Sequence, residues 1–377
     1  MDDNSHIKLG KRVKKSKLSP LRWQYVDAIS ADEPCILALP GSNTKTSKQA
    51  NGFAKMIEET LKKPYIPIYS VEYDFGDRNF RVDREAVLAR YGQANPSLPF
   101  LRQVKEEDKT YIPRYIKELY QKTLAPRLRD ENGTRVSIEK ASQRLNMLIL
   151  ANHCQGSTVA LQLETLLTQD MQNLGFKKDA QNYLLKQLHT INVAPVTPYG
   201  ITKTTSYKFV SFADETATSV HTQKIDYILK RQQEHERFLS SLKEDPEQRK
   251  QDNHPFMMNF ALFRPTANET VFAVNNLYPL EIRQDEDYDG IEHTFASYSD
   301  KDDDDRTKQG DQMSMMFREL LNRLAENAKK NEKELTEFPD IFKDNALKTL
   351  LTRTQNNRYT FITRETKILK SKKQTTR

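Results

Sequence analysis

The amino-acid sequence predicts an α/β protein built on a mostly parallel central sheet that is flanked by helices. Short apolar runs, typical of buried strands, alternate along the chain with longer segments whose apolar residues recur at helical spacing. Several of these runs end in polar or glycine-containing turns, as strands do where a helix follows. The chain has 377 residues, which is enough for one large domain of this class with insertions.

In the first half of the chain, strands and helices alternate in a βαβ pattern. The predicted strands are residues 35–40, 66–73 and 147–151, and the predicted helices are residues 49–62, 111–124 and 158–167. Residues 21–29, which contain the only tryptophan, Trp23, fit either a short amphipathic helix or an edge strand. This alternation predicts right-handed crossovers and helices on both faces of the sheet.

The second half continues the pattern and adds charged helices. The predicted strands are residues 190–196, 208–212, 256–263 and 270–274, the last two joined by a hairpin loop, and the predicted helices are residues 179–188, 220–243, 312–330 and 332–352. A cluster of Met313, Met315, Met316 and Phe317 is interpreted as packing rather than as a ligand-binding face.

These elements divide the chain into four parts. We predict a disordered basic arm over residues 1–19, an α/β domain over residues 20–300, a helical extension over residues 301–366 and a basic tail over residues 367–377. Residues 78–144 are charged and mainly helical in pattern, and they separate two strands of one sheet. They are therefore predicted to be a helical insertion that covers an edge of the sheet or the site.

The sequence also indicates the cellular compartment in which the protein is expected. No stretch approaches the roughly 20 apolar residues that span a bilayer, and the N-terminus lacks the basic-then-apolar pattern of a secretory signal. Cys35 and Cys154 are the only cysteines, so a disulfide framework is not indicated. We expect a cytoplasmic protein with reduced thiols.

The net charge of +7 lies partly in the two basic ends, residues 8–17 and 367–377. Such ends are usually solvated, and they could also contact an anionic membrane through a salt-sensitive attraction. The basic residues are not interleaved with aromatic residues in a recognisable module, so specific nucleic-acid binding is not expected.

A sharp turn at Cys154 is the chemically most informative feature. An apolar strand ends just before this residue and a helical pattern starts just after it. A nucleophile at such a turn is exposed by a strained backbone, and the backbone N–H groups that follow can stabilise an oxyanion. Small residues are needed two positions to either side; Gly156 meets that need and Asn152 meets it only in part.

Residues 152–157, Asn-His-Cys-Gln-Gly-Ser, resemble the nucleophile elbow of the α/β-hydrolase superfamily in its lipase and esterase form, with cysteine in place of serine and asparagine in place of the first glycine. The resemblance spans roughly residues 34–300. It implies an α/β-hydrolase-like fold and a nucleophilic Cys154. Dienelactone hydrolases and polyhydroxyalkanoate synthases are members of that superfamily with cysteine at this place.

The resemblance also implies an oxyanion hole. Its donors would be the backbone N–H of Gln155 and a backbone N–H from the loop at Gly41 and Ser42, which follows an early strand. The same loop also fits an ordinary strand-to-helix turn. It lacks the second glycine and the Gly-Lys-Ser/Thr ending of a phosphate-binding loop.

A cysteine nucleophile needs a base and a group that orients the base. The superfamily order of nucleophile, acid and histidine favours Asp214, which directly follows a predicted strand, and His293, which follows the last one. Glu215, Asp285 and Asp287 are alternatives to Asp214, which could also be a helix N-cap, and His293 could be a surface histidine. His153, beside the nucleophile, is expected to pack or to orient the turn, because neighbouring strand residues point to opposite faces.

The leading hypothesis is hydrolysis or transfer of the acyl group of an ester, lipid or thioester through a covalent thioester on Cys154. No histidine has metal-site spacing with other ligands, so zinc chemistry is disfavoured. The acyl chemistry itself requires neither a metal nor an organic cofactor, and none is expected. The alternative is a catalytically inactive hydrolase-like protein that binds or regulates a partner. The Lys-, Asn- and Gln-rich composition also resembles that of effectors that intracellular bacteria deliver into host cells.

Overall fold

The structure is a computed structural model that describes residues 7–13, 22–41, 44, 46–61, 66–73, 112–197, 201–211, 214, 268–274, 277–278, 293–300 and 305–331. Within these ranges the chain forms an eight-stranded sheet flanked by helices, which confirms the predicted α/β class. The strands are β1 (Ile7–Val13), β2 (Arg22–Val26), β3 (Cys35–Leu39), β4 (Ile68–Tyr73), β5 (Leu148–His153), β6 (His189–Val193), β7 (Thr205–Ser211) and β8 (Glu269–Val274). The helices are α1 (Ser47–Thr60), α2 (Arg114–Thr123), α3 (Ile138–Asn146), α4 (Gly156–Asn173), α5 (Lys178–Leu185), α6 (Phe295–Ser299) and α7 (Lys308–Asn331), with a 3-10 helix at Ala125–Leu128.

The sheet is parallel except at one edge. Its strand order is β2-β1-β4-β3-β5-β6-β7-β8, and β1 runs antiparallel to both β2 and β4. From β4 through β8 each pair of neighbours is parallel. The carboxyl ends of these six strands therefore meet at one edge of the sheet, which is where ligands bind in folds of this kind.

Alternating side chains along the central strands feed two hydrophobic cores. Ile36, Ala38 and Ile149 pack with α1 and α7 on one face, whereas Leu37 and Leu150 pack with α2, α3, α4 and α5 on the other. Every residue of β3 is buried, as expected of a parallel strand covered on both faces. The near-continuous apolar runs in the sequence are thus explained by two-sided burial.

The prediction of a disordered arm over residues 1–19 was wrong for Ile7–Val13, which forms β1. Ile7 and Leu9 are buried in the core, whereas the basic side chains between and after them find acidic partners on other elements. Those ion pairs join Lys8 to Glu72 (3.4 Å), Lys11 to Glu33 and Arg12 to Glu58. The sequence suggests a solvated basic arm because the acidic partners of these lysine and arginine side chains are distant in sequence.

For residues 21–29 the sequence allows a short helix or an edge strand, and the structure shows an edge strand, β2.

Helices lie where the sequence predicts a helical insertion, at Arg114–Thr123 and Ile138–Asn146, and a helical extension, at Lys308–Asn331. Ile116, Leu119 and Leu145 of α2 and α3 are buried in the same core as β3 and β5. Phe317 and Leu321 of α7 are buried in the core on the opposite face. Both segments are helical layers of the domain itself, because their apolar faces cover the sheet rather than the site.

Several predicted elements lie outside the residues that the structure describes. They are helices 220–243 and 332–352, strand 256–263, the tail at residues 367–377 and part of the predicted insertion, residues 78–111. Across the described part of the chain, no helix combines the length and the apolarity that crossing a membrane requires.

Candidate active site

Cys154 lies at a tight turn between β5 and α4. Its backbone φ angle is +51°, a left-handed conformation that residues other than glycine seldom adopt. The backbone N–H of Cys154 donates a hydrogen bond to the carbonyl of Val193 at 3.1 Å, which ties the turn to the end of the neighbouring strand β6. Non-glycine residues held in this way by their surroundings are concentrated at functional sites.

Gly156 allows the turn to pack against the end of β3. A Cβ atom at this position would lie 2.1 Å from the carbonyl oxygen of Leu39 and 3.1 Å from that of Pro40. Both obstacles are backbone atoms, so no side-chain rotation could relieve the first contact. The expected need for a small residue two positions after Cys154 is therefore explained by the close approach of α4 to β3.

Asn152, on the other side of the turn, is accommodated by a buried polar row. Its side-chain amide donates to Oδ1 of Asn192 at 2.8 Å, and the amide of Asn192 donates to Oγ of Ser206 at 3.0 Å. At the far end of this sheet face, Nζ of Lys208 donates to Oε1 of Glu269 at 2.9 Å, with both side chains fully buried. The next strand thus bonds the side-chain N–H of Asn152, the residue that replaces the usual glycine, whereas its Oδ1 is buried without a hydrogen-bond partner among the described residues.

Gly41 lies directly beside the sulfur. A Cβ atom on Gly41 would be 3.0 Å from Cβ and 3.6 Å from Sγ of Cys154. The loop is held by the hydroxyl of Tyr73, which donates to the carbonyl of Pro40 at 2.6 Å, and by the N–H of Thr44, which donates to the carbonyl of Gly41 at 3.1 Å. Ser42 lies outside the described residues.

Gln155 follows Cys154 in the chain and is the N-cap residue of α4. Its side chain is fully buried, and neither amide atom has a hydrogen-bond partner among the described residues. Helix N-termini carry a partial positive charge that stabilises an oxyanion. The predicted oxyanion donors Gly41 and Gln155 are therefore on the same edge of the sheet as Cys154.

Asp214 and His293 meet at this edge. Nδ1 of His293 lies 2.9 Å and 2.8 Å from the two carboxylate oxygens of Asp214, whose side chain is only 1% exposed. The N–H of Asp214 donates to the carbonyl of Ser211 at 3.1 Å, and the N–H of Ser211 donates to the hydroxyl of Tyr298 at 2.9 Å. The acid is thus held in a turn at the end of β7, and α6, which follows the histidine, braces that strand.

His293 also interacts with Cys154. Burial lowers the pKa of His293, but the hydrogen bond to Asp214 and the interaction with Cys154 outweigh it and raise the pKa to about 10. Nε2, the ring nitrogen that does not face Asp214, is buried and makes no well-aligned hydrogen bond among the described residues. Among the described atoms, the ring of His293 is therefore hydrogen-bonded to Asp214 through Nδ1, and Nε2 makes no hydrogen bond to the sulfur of Cys154.

His153 contacts the loop that carries His293. Its Nε2 lies 2.6 Å from the backbone carbonyl oxygen of His293, and the two imidazole rings are 5.3 Å apart between centroids. Burial, followed by the charge of His293, lowers the pKa of His153 to about 4. Phe53 and Phe295 lie 6.1 Å and 6.2 Å from its ring and 4.9 Å from each other.

The alternatives to Asp214 are not placed by the structure. Glu215, Asp285 and Asp287 lie outside the described residues. Within the ranges that the structure covers, no group of three or more histidine, cysteine or acidic residues could hold a metal ion. The contact of His153 with the His293 loop could not be read from the sequence, because it joins residues separated by 140 positions.

Neither the models of known protein families nor the curated proteins match this chain.

Proposed function

We propose that this protein is an α/β-hydrolase-like enzyme that hydrolyses or transfers the acyl group of an ester, lipid or thioester through a thioester on Cys154. The observation that carries the proposal is the hydrogen bond between one imidazole and a buried carboxylate at the edge of the sheet where Cys154 lies. Nδ1 of His293 is hydrogen-bonded to the buried carboxylate of Asp214, and Cys154 is among the groups that raise the pKa of the same ring. This is the relation of orienting acid, base and nucleophile that covalent catalysis requires.

The arrangement of the sheet gives the proposal its second support. Cys154 follows β5, Asp214 follows β7 and His293 follows β8 in the sequence, and all three strands are parallel. The order nucleophile, acid, histidine at the carboxyl edge of a parallel sheet is that of the α/β-hydrolase superfamily. The strained elbow and the glycine that follows it belong to the same pattern.

In the acylation step, the Cys154 thiolate attacks the substrate carbonyl carbon and a carbon–sulfur bond forms. The negative charge moves to the carbonyl oxygen, which the backbone N–H groups of Gln155 and of the Gly41 loop stabilise. When the tetrahedral intermediate collapses, the bond to the leaving group breaks and Nε2 of His293 gives that group a proton. Asp214 stabilises the imidazolium throughout, since its carboxylate stays on Nδ1.

Deacylation reverses these roles. A water molecule or an alcohol gives a proton to the neutral Nε2 of His293 and attacks the thioester carbonyl. The carbon–sulfur bond then breaks, the acyl product leaves, and the thiolate is regenerated beside the imidazolium. No metal or organic cofactor takes part in this scheme.

The proposal is tested by trapping the thioester. Purified protein is mixed with p-nitrophenyl esters of increasing acyl length, and the intact mass and the release of nitrophenol are followed in the first turnover. We expect a single acyl adduct on Cys154 that is absent from Cys154→Ala. The matched control is Cys35→Ala, because Cys35 is fully buried and burial raises the pKa of its thiol to about 11.

A folded wild-type protein that forms no adduct with any ester or thioester, and whose Cys154 reacts with iodoacetamide no faster than Cys35, would overturn the proposal. That result would favour the non-catalytic binding protein instead. Equal adduct formation in Cys154→Ala and in the wild type would exclude Cys154 as the nucleophile.

A further inference from the structure

We propose that His153 is a positioning residue for the base: its neutral ring, protonated at Nε2, holds the backbone carbonyl of His293 and thereby fixes the position from which that imidazole serves Cys154. This inference rests on the proposed function, since it concerns the same site. It assigns a role to a histidine that takes no part in the proton transfers described above.

The protonation state of His153 follows from its partner. A backbone carbonyl oxygen can only accept a hydrogen bond, so the 2.6 Å contact requires that Nε2 of His153 carries the proton. The other ring nitrogen, Nδ1, faces the glycine loop, since a Cβ atom on Gly41 would lie 3.4 Å from it. His153 therefore lies between the loop of the oxyanion hole and the loop of the base.

The surroundings of His153 keep its ring neutral. The titratable groups that face it are His293, whose positive charge lowers the pKa of His153, and Asp214, whose carboxylate raises it by less than burial lowers it. Cys154 is its neighbour in the chain, and the remaining ring contacts, Phe53 and Phe295, carry no charge. A neutral donor is what the role demands, because a second cation would oppose the imidazolium form of His293.

His293 needs this support because it precedes a helix of only five residues, Phe295–Ser299. Asp214 fixes the side chain of His293 through Nδ1, whereas His153 fixes its backbone carbonyl. With the side chain alone anchored, the ring could pivot about the Asp214 contact and move Nε2 away from the sulfur. Two anchors on one residue remove that freedom, and this pre-organisation keeps the base within reach of the nucleophile.

The test compares two variants of His153 in the full chain. His153→Gln retains a side-chain N–H near the position of Nε2, whereas His153→Phe retains a ring without a donor. We expect His153→Phe to lower kcat for the nitrophenyl ester about 10- to 100-fold, by analogy with the loss found when a residue that orients a metal-ligating side chain is removed. KM should stay within about 2-fold, because an effect on positioning alone leaves substrate binding intact. His153→Gln should keep most of the activity, because its side-chain N–H can still donate to the carbonyl of His293.

A second measurement does not depend on either variant folding. Nitrogen-15 NMR of the wild-type imidazole rings at pH 7 reports which nitrogen of each neutral histidine is protonated. We expect His153 as the Nε2–H tautomer. A ring protonated at Nδ1 would overturn the positioning role, and so would equal kcat values for the Phe and Gln variants. An inactive wild-type protein would instead overturn the proposed function and leave the tautomer of His153 to be judged by itself.

Discussion

Asp214 and His293 are separated by 79 positions in the sequence, yet a carboxylate oxygen of one lies 2.8 Å from Nδ1 of the other. The carboxylate is almost completely removed from water, and the imidazole is a hydrogen-bonded partner for its charge at the site. Burying a charge is costly unless it is paired. The pair is therefore difficult to explain as an incidental surface contact.

Replacing the acid by its neutral isostere tests this pair. Asp214→Asn preserves shape, but its amide group cannot stabilise an imidazolium and can present an N–H to Nδ1, which leaves Nε2 protonated and unable to accept a proton. We expect acyl turnover to fall by about 10³- to 10⁴-fold, the size of the effect of such a change in a catalytic triad. The measurement is single-turnover kinetics with the nitrophenyl ester.

Asp170→Asn is a suitable control for this substitution. Asp170 is also buried and accepts hydrogen bonds from Tyr120 and Arg129, but it lies near the C-terminal end of α4, whereas Cys154 precedes the N-terminal end. We expect it to lower stability without changing the turnover of the folded protein. Wild-type turnover in Asp214→Asn would contradict the role given to Asp214.

The raised pKa of His293 predicts a dependence of stability on pH. The pKa of His293 rises from 6.5 to about 10 on folding, so the folded state binds a proton that the unfolded state has released between these values. The stabilisation is complete below about pH 6.5 and is lost as the pH rises towards 10. We therefore expect the free energy of unfolding of the wild type, minus that of His293→Asn, to decrease between pH 7 and pH 10.

Urea denaturation at pH 6, 7, 8, 9 and 10 measures this difference. Taking the difference between the two proteins cancels the titration of groups that they share. A difference that stays constant or grows with pH would show that the imidazolium is not stabilised in the folded state.

Much of the fold could be predicted because buried parallel strands leave apolar runs in the sequence. The strands around Leu37, Leu150 and Phe209 were recognised in this way, and two-sided burial is the reason. The N-terminal strand was missed because the acidic partners of Lys11 and Arg12 are supplied by distant elements. Periodicity also could not show that α2 and α7 cover the sheet, since an apolar helical face does not specify what it packs against.

The candidate site was predictable where chemistry is local and unpredictable where it depends on loop positions. The turn at Cys154 is encoded within residues 152–157, and Asp214 was recognised because it follows a strand. The hydrogen bond from His153 to the carbonyl of His293 depends on the position of a loop in the folded protein, which no local sequence pattern predicts. Equally, nothing in the sequence around Lys208 indicates that it is fully buried.

Two glycines offer a matched test of the packing at the elbow. Gly156→Ala would place a Cβ atom 2.1 Å from a backbone oxygen of Leu39, whereas the same change at Gly52, on an exposed position of α1, meets nothing within 4 Å. We expect Gly52→Ala to stabilise the protein by about 0.5–1 kcal/mol, since alanine is the better helix former. Gly156→Ala should lower the melting temperature and impair acylation of Cys154, because α4 must shift away from β3.

Thermal denaturation of the two alanine variants beside the wild type measures the effect, with acylation of Cys154 as the functional readout. Because both changes add one methyl group to a glycine in a helix, their difference isolates the contact with β3. Equal melting temperatures for the two variants would show that the elbow has room that the structure does not indicate.

The buried ion pair of Lys208 and Glu269 predicts non-additive effects on stability. Both side chains are excluded from water, with 1% and 0% exposure, so removing one partner leaves the other charge in the interior without this ion pair. We expect Lys208→Met to lower the free energy of unfolding by about 3–5 kcal/mol. The double variant Lys208→Met, Glu269→Leu should be more stable than either single variant, since neither charge then remains buried.

Urea denaturation of the two single variants and the double variant gives the coupling energy. The exposed pair of Lys55 and Glu59, with side chains 57% and 61% exposed, is the control, and its removal should change stability by less than about 1 kcal/mol. Additive losses at Lys208 and Glu269 would contradict the pairing, because two independent side chains would then each contribute separately. A double variant that recovers stability would show that burial of charge, rather than loss of packing, dominates the cost of each single change.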